Sequence, residues 1–351
     1  MDCKEDTAMK QIRTEEAAGH VLCHDITQII KGVTKDAVFR KGHVVREQDI
    51  PVLLSVGKEN LYVWEKQEGM LHENEAAEIL RQICQGKHLH PTEVKEGKIE
   101  LIADCDGVLK IQGEKLRRVN GLGEIMIASR HGNFPVKKGD KIAGTRVIPL
   151  IIHEDKMKRA KEEAGGEPIF QICPYQNKKA GIVTTGSEVY SRRIQDTFTP
   201  VIEKKLAEYG VEVWEHFICN DDSEMISGAI REEIKRGCNL ILCTGGMSVD
   251  PDDKTPLAIR NVTGNVISYG APVLPGAMFL LAYYGGDLPV MGLPGCVMYA
   301  GRTVFDLTLP RVLAGEILTA EDLNILGEGG LCLNCPVCTF PNCGFGKCGS
   351  R

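Results

Sequence analysis

The chain has 351 residues, 42 of them basic and 48 acidic, giving a formal charge of −6. Hydrophobic side chains make up 43% and charged ones 26%, which excludes a disordered, collagenous or coiled-coil chain. The acidic balance, without a Lys/Arg stripe, excludes a general nucleic-acid binder, and no apolar run reaches the roughly 18 residues of a membrane span. Residues 1–10 are polar and carry no signal-peptide core, so the expected compartment is the cytoplasm. Fourteen cysteines there imply reduced thiols rather than a disulfide framework.

At about 150 residues per domain the length accommodates at least two domains, and the texture changes along the chain. Up to residue 174 short β-like runs alternate with Gly and Lys-Gly turns, as at 37–45, 107–112, 124–128 and 141–152. A helix interrupts them, with Asn74 as its expected cap and Ala77, Leu80, Ile83 and Cys84 at helical spacing. A charged helix over about 152–164 leads to the linker Gly165-Gly-Glu-Pro168.

From residue 178 onward the pattern is strand, helix, strand, helix. A short buried strand at 181–186 precedes an amphipathic helix over 196–209, with Phe198, Ile202, Leu206 and Tyr209 on one face. Gly210 stops it and a strand starts at Val211. Asp222 caps a second helix carrying Met225, Ile226, Ala229, Ile230 and Ile234; Gly237 ends it, and residues 239–246 form an apolar strand running into a glycine turn. The fold expected from this alternation is α/β, a three-layer domain with a mainly parallel sheet, preceded by a β-rich α+β domain. The expected division is 1–174, 175–326 and a cysteine-rich tail, 327–351.

Active sites in such sheets form at the carboxyl ends of the strands. The polar and glycine-rich sequence gathers there: Thr184-Thr-Gly-Ser-Glu188, Thr244-Gly-Gly-Met-Ser248 with Asp250, Asp252 and Asp253 beyond it, Leu274-Pro-Gly-Ala-Met278, and Gly292-Leu-Pro-Gly-Cys296. Glycine turns with hydroxyl residues expose N–H groups and make an anion cradle without large positive charge. The carboxylates Glu188, Asp250, Asp252 and Asp253 are hard oxygen ligands suited to Mg²⁺. The pair Asp221-Asp222 reads as capping, and His20, His24 and His43 lack ligand spacing.

Taken in order, Thr185-Gly-Ser-Glu188, Asp196, Thr244-Gly-Gly-Met-Ser248 with Asp253, Pro275-Gly276 and Pro294-Gly295 resemble the molybdopterin-binding domain of molybdopterin molybdotransferases and the gephyrin C-terminal domain. The resemblance covers about 178–315. It implies binding of molybdopterin, or its adenylylated form, by Thr185, Gly186, Ser187, Thr244, Gly245, Gly246, Ser248, Pro275, Gly276, Pro294 and Gly295. It further implies Mg²⁺ at Glu188 and Asp253, catalytic roles for Glu188, Asp253 and Asp196, molybdate insertion with release of AMP, and a homo-oligomer. Two family lysines are absent around Pro275-Gly276, and Asp250 stands where the family has glycine. The alternative function is therefore a non-catalytic molybdopterin carrier or maturation factor that serves a recipient molybdoenzyme. A nucleotide-processing hydrolase on the same scaffold is a third reading. Neither nucleic acid nor a membrane is an expected partner.

The tail reads Cys332-x₂-Cys335-x₂-Cys338-x₄-Cys343-x₄-Cys348, five thiols within seventeen residues. Four of them, Cys332, Cys335, Cys338 and Cys343, are candidate ligands for an Fe–S cluster or a structural Zn²⁺. With so little hydrophobic sequence, the tail is not expected to bury a core of its own.

Overall fold

The computed structural model describes residues 9–30, 34–64, 69–248, 250–251 and 253–347. Asp252 and Cys348 lie outside these. The chain divides into two compact units, one comprising 1–102, 111–130 and 141–171, the other 103–110, 131–140 and 172–351.

The first unit is α+β and rich in short strands. Its largest sheet takes the antiparallel order Leu89–Pro91, Ile99–Ala103, Lys141–Val147, Ile125–Ser129, with a β-bulge near Lys141. Its helices are Glu73–Cys84, Gly113–Asn120 and Glu154–Ala164 among the longer ones. The first of these buries Ala76, Ala77, Leu80, Ile83 and Cys84 along one stripe. Its cap differs from the expectation: His72 takes that place, its Nδ1 accepting the Asn74 N–H at 3.2 Å. Asn74 sits inside the first turn and instead accepts the Gly97 N–H at 2.9 Å. An imidazole nitrogen serves here because its other nitrogen is tied to the Cys23 carbonyl at 2.6 Å, so the ring is held in place.

The second unit is a three-layer α/β structure. Its six-stranded sheet runs in the order Glu212–Cys219, Lys179–Thr185, Leu240–Thr244, Leu288–Leu293, Leu280–Tyr284, Val266–Tyr269. The first four strands are mutually parallel, and Leu280–Tyr284 is antiparallel to both neighbours. Alternate residues of the central strands enter opposite layers. Ile182, Leu240, Leu242, Met291 and Leu293 pack with the helices Thr199–Ala207 and Val304–Leu313 on one face. Val183, Ile241, Cys243 and Val290 pack with Ser223–Lys235 and Thr255–Thr263 on the other. Asp222 caps the Ser223–Lys235 helix through the Met225 N–H at 2.8 Å, as its position ahead of the apolar stripe leads one to expect. The amphipathic helix expected over 196–209 spans Thr199–Ala207, starting later than expected, and Asp196 stands ahead of it.

The tail is not a separate object. It has no core of its own, but Phe345 is only 5% exposed and joins the core on the Val304–Leu313 side, with Phe340, Cys332 and Cys343 packed against it. Leu331 forms a bridge to Leu274, through the Leu274 N–H to the Gly330 carbonyl and the Cys332 N–H to the Leu274 carbonyl, both 2.8 Å. A short segment that cannot fold alone is thus ordered on a pre-existing core.

Candidate functional site

Three glycine corners bring the strand ends together. Thr244 ends its strand, and Gly245 and Gly246 follow with φ of 83° and 53°. A side chain at Gly245 would overlap the Thr185 carbonyl, and one at Gly246 would come within 2.9 Å of Thr255 Oγ1. The turn after Leu240–Thr244 is therefore pressed, backbone to backbone, on the end of Lys179–Thr185, and Thr185 Oγ1 lies 3.1 Å from Thr255 Oγ1. Gly276, with φ of 127°, packs on Val304, where a Cβ would come within 2.6 Å of a methyl carbon. Only glycine combines positive φ with such close approach.

Between these corners lies a cleft of about 560 Å³. Of the residues expected to bind a ligand, it is lined by Gly245, Gly246, Ser248, Asp253, Pro275, Gly276, Pro294 and Gly295, together with Met247, Leu274, Met278, Cys296 and Tyr299. Its described lining holds no Lys or Arg. Any anion entering it meets backbone dipoles and small side chains instead.

Thr185, Gly186, Ser187, Glu188, Thr244 and Asp196, also expected, are not among its described lining residues. Ser248 donates its N–H to Asp253 Oδ2 at 2.7 Å, and Asp253 donates its own to the Asp250 carbonyl at 3.0 Å. The carboxylate thereby closes the loop it belongs to. Tyr269 donates its hydroxyl toward the Met247 and Ser248 carbonyls at 3.1 and 3.2 Å; burial and the Asp253 charge raise this phenol above its ordinary value. Ser187 is held through its N–H and its hydroxyl by Asp221 Oδ2, both at 2.8 Å. Gly186 precedes it with φ of 142°, and Glu188 is exposed on the one-turn helix that follows.

Asp196 is a cap. Its Oδ1 accepts the N–H groups of Phe198 and Thr199 at 2.9 and 3.1 Å, and its Oδ2 accepts the hydroxyls of Thr199 and Thr184 at 2.5 and 3.1 Å. His216 Nε2 stands 3.5 Å away. Burial alone would raise this carboxyl, but the hydrogen bonds from Thr199, Phe198 and Thr184 outweigh it and hold the group below its ordinary value. Thr244 Oγ1 reaches Thr184 Oγ1 at 3.4 Å, so a buried chain of hydroxyls runs beneath the cleft from Asp196 to Thr244.

Sequence reasoning missed Asp221, Tyr269, His216 and Thr255. The acidic pair was visible, yet its members divide: Asp222 caps a helix while Asp221 holds Ser187. Tyr269 carries no local signal, since its strand reaches the glycine turn only across the sheet.

Beside the cleft, the tail encloses a second cavity of about 650 Å³, lined by Cys332, Cys335, Cys338 and Cys343 and sharing Pro275 and Tyr299 with the first. Cys335 and Cys338 are exposed, Cys332 and Cys343 half-buried. Among the described residues no three His, Cys, Asp or Glu side chains are grouped so as to hold a metal ion, and no helix is long and apolar enough to cross a membrane.

A three-layer α/β unit with a glycine-built cleft at its strand ends defines the class, and comparison with known proteins shows what it is similar to. Residues 181–314 match the probable molybdopterin binding domain. Residues 11–65 match a domain of unknown function. A CinA-like protein of Mycobacterium avium is 36% identical over 95 residues, covering 27% of this chain and 22% of that protein. A CinA-like protein of Mycobacterium tuberculosis is 37% identical over 86 residues, 24% and 20% of the two chains. The chain thus spans about a fifth of the length of these curated relatives. Among solved structures, the molybdopterin biosynthesis enzyme MoaB of Thermus thermophilus is similar at 23% identity and a TM-score of 0.34, over 40% of this chain and 98% of that one. CinA of Thermoplasma acidophilum is similar at 20% identity and a TM-score of 0.32, over 39% and 98%.

Proposed function

We propose that the second unit binds molybdopterin or its adenylylated form in the strand-end cleft, and that the protein acts in cytoplasmic molybdenum cofactor biosynthesis as a molybdotransferase-like enzyme. The observation that carries this reading is the cleft built by Gly245, Gly246 and Gly276 within the stretch that matches the family. Thr185, Gly186, Ser187 and Thr244 belong to the same strand ends and complete the binding set. In this reaction molybdate enters the dithiolene of the substrate, water cleaves the phosphoanhydride, and AMP leaves. Asp196 keeps the end of the first strand in register through Thr184 and Thr199.

Glu188 and Asp253 are the carboxylates that would hold Mg²⁺. Mg²⁺ takes one or two carboxylates and completes its shell with phosphate oxygens and water, which is why two acids are enough for the role. Bound there, it would neutralise charge developing on the phosphoanhydride.

A carrier or maturation factor, handing cofactor to a recipient molybdoenzyme, is the second reading. It is favoured by the lack of Lys and Arg in the described lining, and by two N–H donors already engaged, Ser187 by Asp221 and Ser248 by Asp253. One experiment separates them: AMP release from adenylylated molybdopterin with Mg²⁺ and molybdate, measured beside pterin binding. Molybdate-dependent AMP supports the enzyme, pterin binding without AMP supports the carrier, and neither activity rejects both.

For the tail we propose a metal centre on Cys332, Cys335, Cys338 and Cys343. The four thiols line one cavity, and the compact Cys-x₂-Cys-x₂-Cys run with a distal fourth thiol favours an Fe–S cluster. Iron and acid-labile sulfide in anaerobically purified protein test this; zinc alone reverses the choice.

A further inference from the structure

The first unit carries a cleft of about 680 Å³, but charged side chains of both signs line it, the ordinary state of a solvated surface. The strand-end cleft of the second unit carries more, because its two ends differ. Three loops meet at that edge of the sheet. Gly245, Gly246 and Ser248 follow Leu240–Thr244, and Pro294, Gly295 and Tyr299 follow the next strand, Leu288–Leu293. Leu274, Pro275 and Met278 lead into the strand beyond, whose first residue, Leu280, pairs with Gly292 at the same edge.

Adjacent strands lie about 5 Å apart, so two spacings place roughly 10 Å between the glycine end and the far end. The glycine end is backbone and a hydroxyl residue; the far end is apolar. Pro275 and Tyr299, unlike Gly245 and Gly246, also belong to the described lining of the tail's cavity, which sets them at the end that faces the tail. A small molecule with a phosphate at one end and a flat ring at the other matches this polarity.

Tyr299 is the single aromatic residue in the described lining. It is 77% exposed, and Leu274 is 57% exposed. Its backbone, by contrast, is fixed. The N–H groups of Tyr299 and Ala300 both reach the Cys296 carbonyl, at 3.3 and 2.9 Å, and the Val297 N–H reaches the Pro294 carbonyl at 3.0 Å. Val297 itself is fully buried. Pro275 is tied down as well, its carbonyl accepting the Val304 N–H at 3.2 Å. A rigid turn therefore holds an apolar ring in water at the mouth of a cleft, and a ligand that covers the ring removes its cost of hydration. Aromatic faces take flat rings in offset stacks, and such stacking on a heterocycle is strong enough to govern affinity.

We propose that Tyr299 is the ring-binding residue of this cleft. Resting on the molybdopterin reading, the assignment is that Tyr299 stacks on the pterin while the glycine corner holds the phosphate of the same molecule. The phenol hydroxyl has no part in this, so the aromatic face alone sets the contribution.

The test is anaerobic titration of the full chain with molybdopterin, followed by pterin fluorescence, for the unaltered protein, Tyr299→Phe and Tyr299→Leu. Thermal melting checks each variant, and so exposed a side chain is expected to leave it unchanged. Affinity within two-fold of the unaltered protein is expected for Tyr299→Phe, and a loss of roughly ten-fold or more for Tyr299→Leu, which keeps apolar bulk but has no π-face. Inorganic phosphate, used as a competitor, is expected to bind all three proteins equally. Unchanged molybdopterin affinity in Tyr299→Leu overturns the proposal and leaves the molybdopterin reading standing. No binding by the unaltered protein overturns both. An equal loss of phosphate and molybdopterin affinity shows that the residue shapes the cleft instead of holding the ring, and overturns it too. AMP separates the two possible rings: dependence on Tyr299 for AMP but not for molybdopterin assigns the face to adenine and rejects the pterin.

Discussion

The two clefts of this protein are made of different material. That of the second unit is backbone: glycine corners at positive φ, prolines, small side chains, and no Lys or Arg in its described lining. That of the first unit is side chain, with Asp25, Asp36, Glu73, Glu93 and Glu96 set among Arg40, Lys41 and Lys95. A backbone cleft is as rigid as the sheet that ends in it, and its selectivity comes from where N–H groups point. A side-chain cleft depends on charges being desolvated and left incompletely paired, which the surrounding packing must support.

Substituting a glycine from each cleft puts this contrast to experiment, and gives the largest expected effect. Gly245→Ala forces a side chain into the Thr185 carbonyl as well as a positive φ, and neither strand end can move aside. A loss of about 3 kcal/mol or more is expected by urea unfolding. Gly97→Ala also has a positive φ, but its new Cβ would meet side-chain atoms, Glu73 Cβ at 2.8 Å and Oε2 at 2.9 Å, rather than backbone. The expected cost is about 1–2 kcal/mol by the same measurement. Equal losses in the two variants would mean that the clefts do not differ as described.

Phe345→Ala tests whether the tail belongs to the second unit. The ring is buried in that unit's core, and its removal is expected to cost about 3 kcal/mol. A loss below about 0.5 kcal/mol would show the tail to be dispensable to the core.

Glu233 gives a pH signature to the same unit. It is fully buried beneath Gly181, where a side chain would collide with its carboxyl. Burial, reinforced by the Glu215 charge, pushes it up to about 8. The unfolded chain releases this proton near the ordinary value of 4.5. Between those values the folded state holds a proton that the unfolded state has lost, so stability falls as pH rises from about 4.5 toward 8. Glu233→Gln is expected to flatten that slope, by a few kcal/mol across the window; an unchanged slope in the variant would assign the dependence to other groups. The smallest effect is that of Asp222→Ala, about 1 kcal/mol for one lost helix cap, measured by thermal unfolding.

Much of the second unit is readable residue by residue. The apolar run Leu240–Thr244, the cap Asp222 and the stop at Gly237, whose φ is 92°, each carry their own local signal, because burial period, capping and positive φ act within a few residues. Asn74 misled for the same reason, since it is a good capping residue by type and the structure uses His72 instead. The roles of Asp221, Tyr269 and Glu73 have no local signature at all. Asp221 meets Ser187 from 34 residues away, and Glu73 meets the Gly97 turn from a different element.

The order of strands and helices, the glycines at the strand ends and the thiol spacing of the tail follow from local chemistry and stand in the chain before it folds. Folding alone decides which hydrogen-bond donors are already spent, which acid is buried, and that Phe345 anchors the tail. Those outcomes depend on groups distant in sequence competing for the same partner, and that competition is settled only when packing sets their distances.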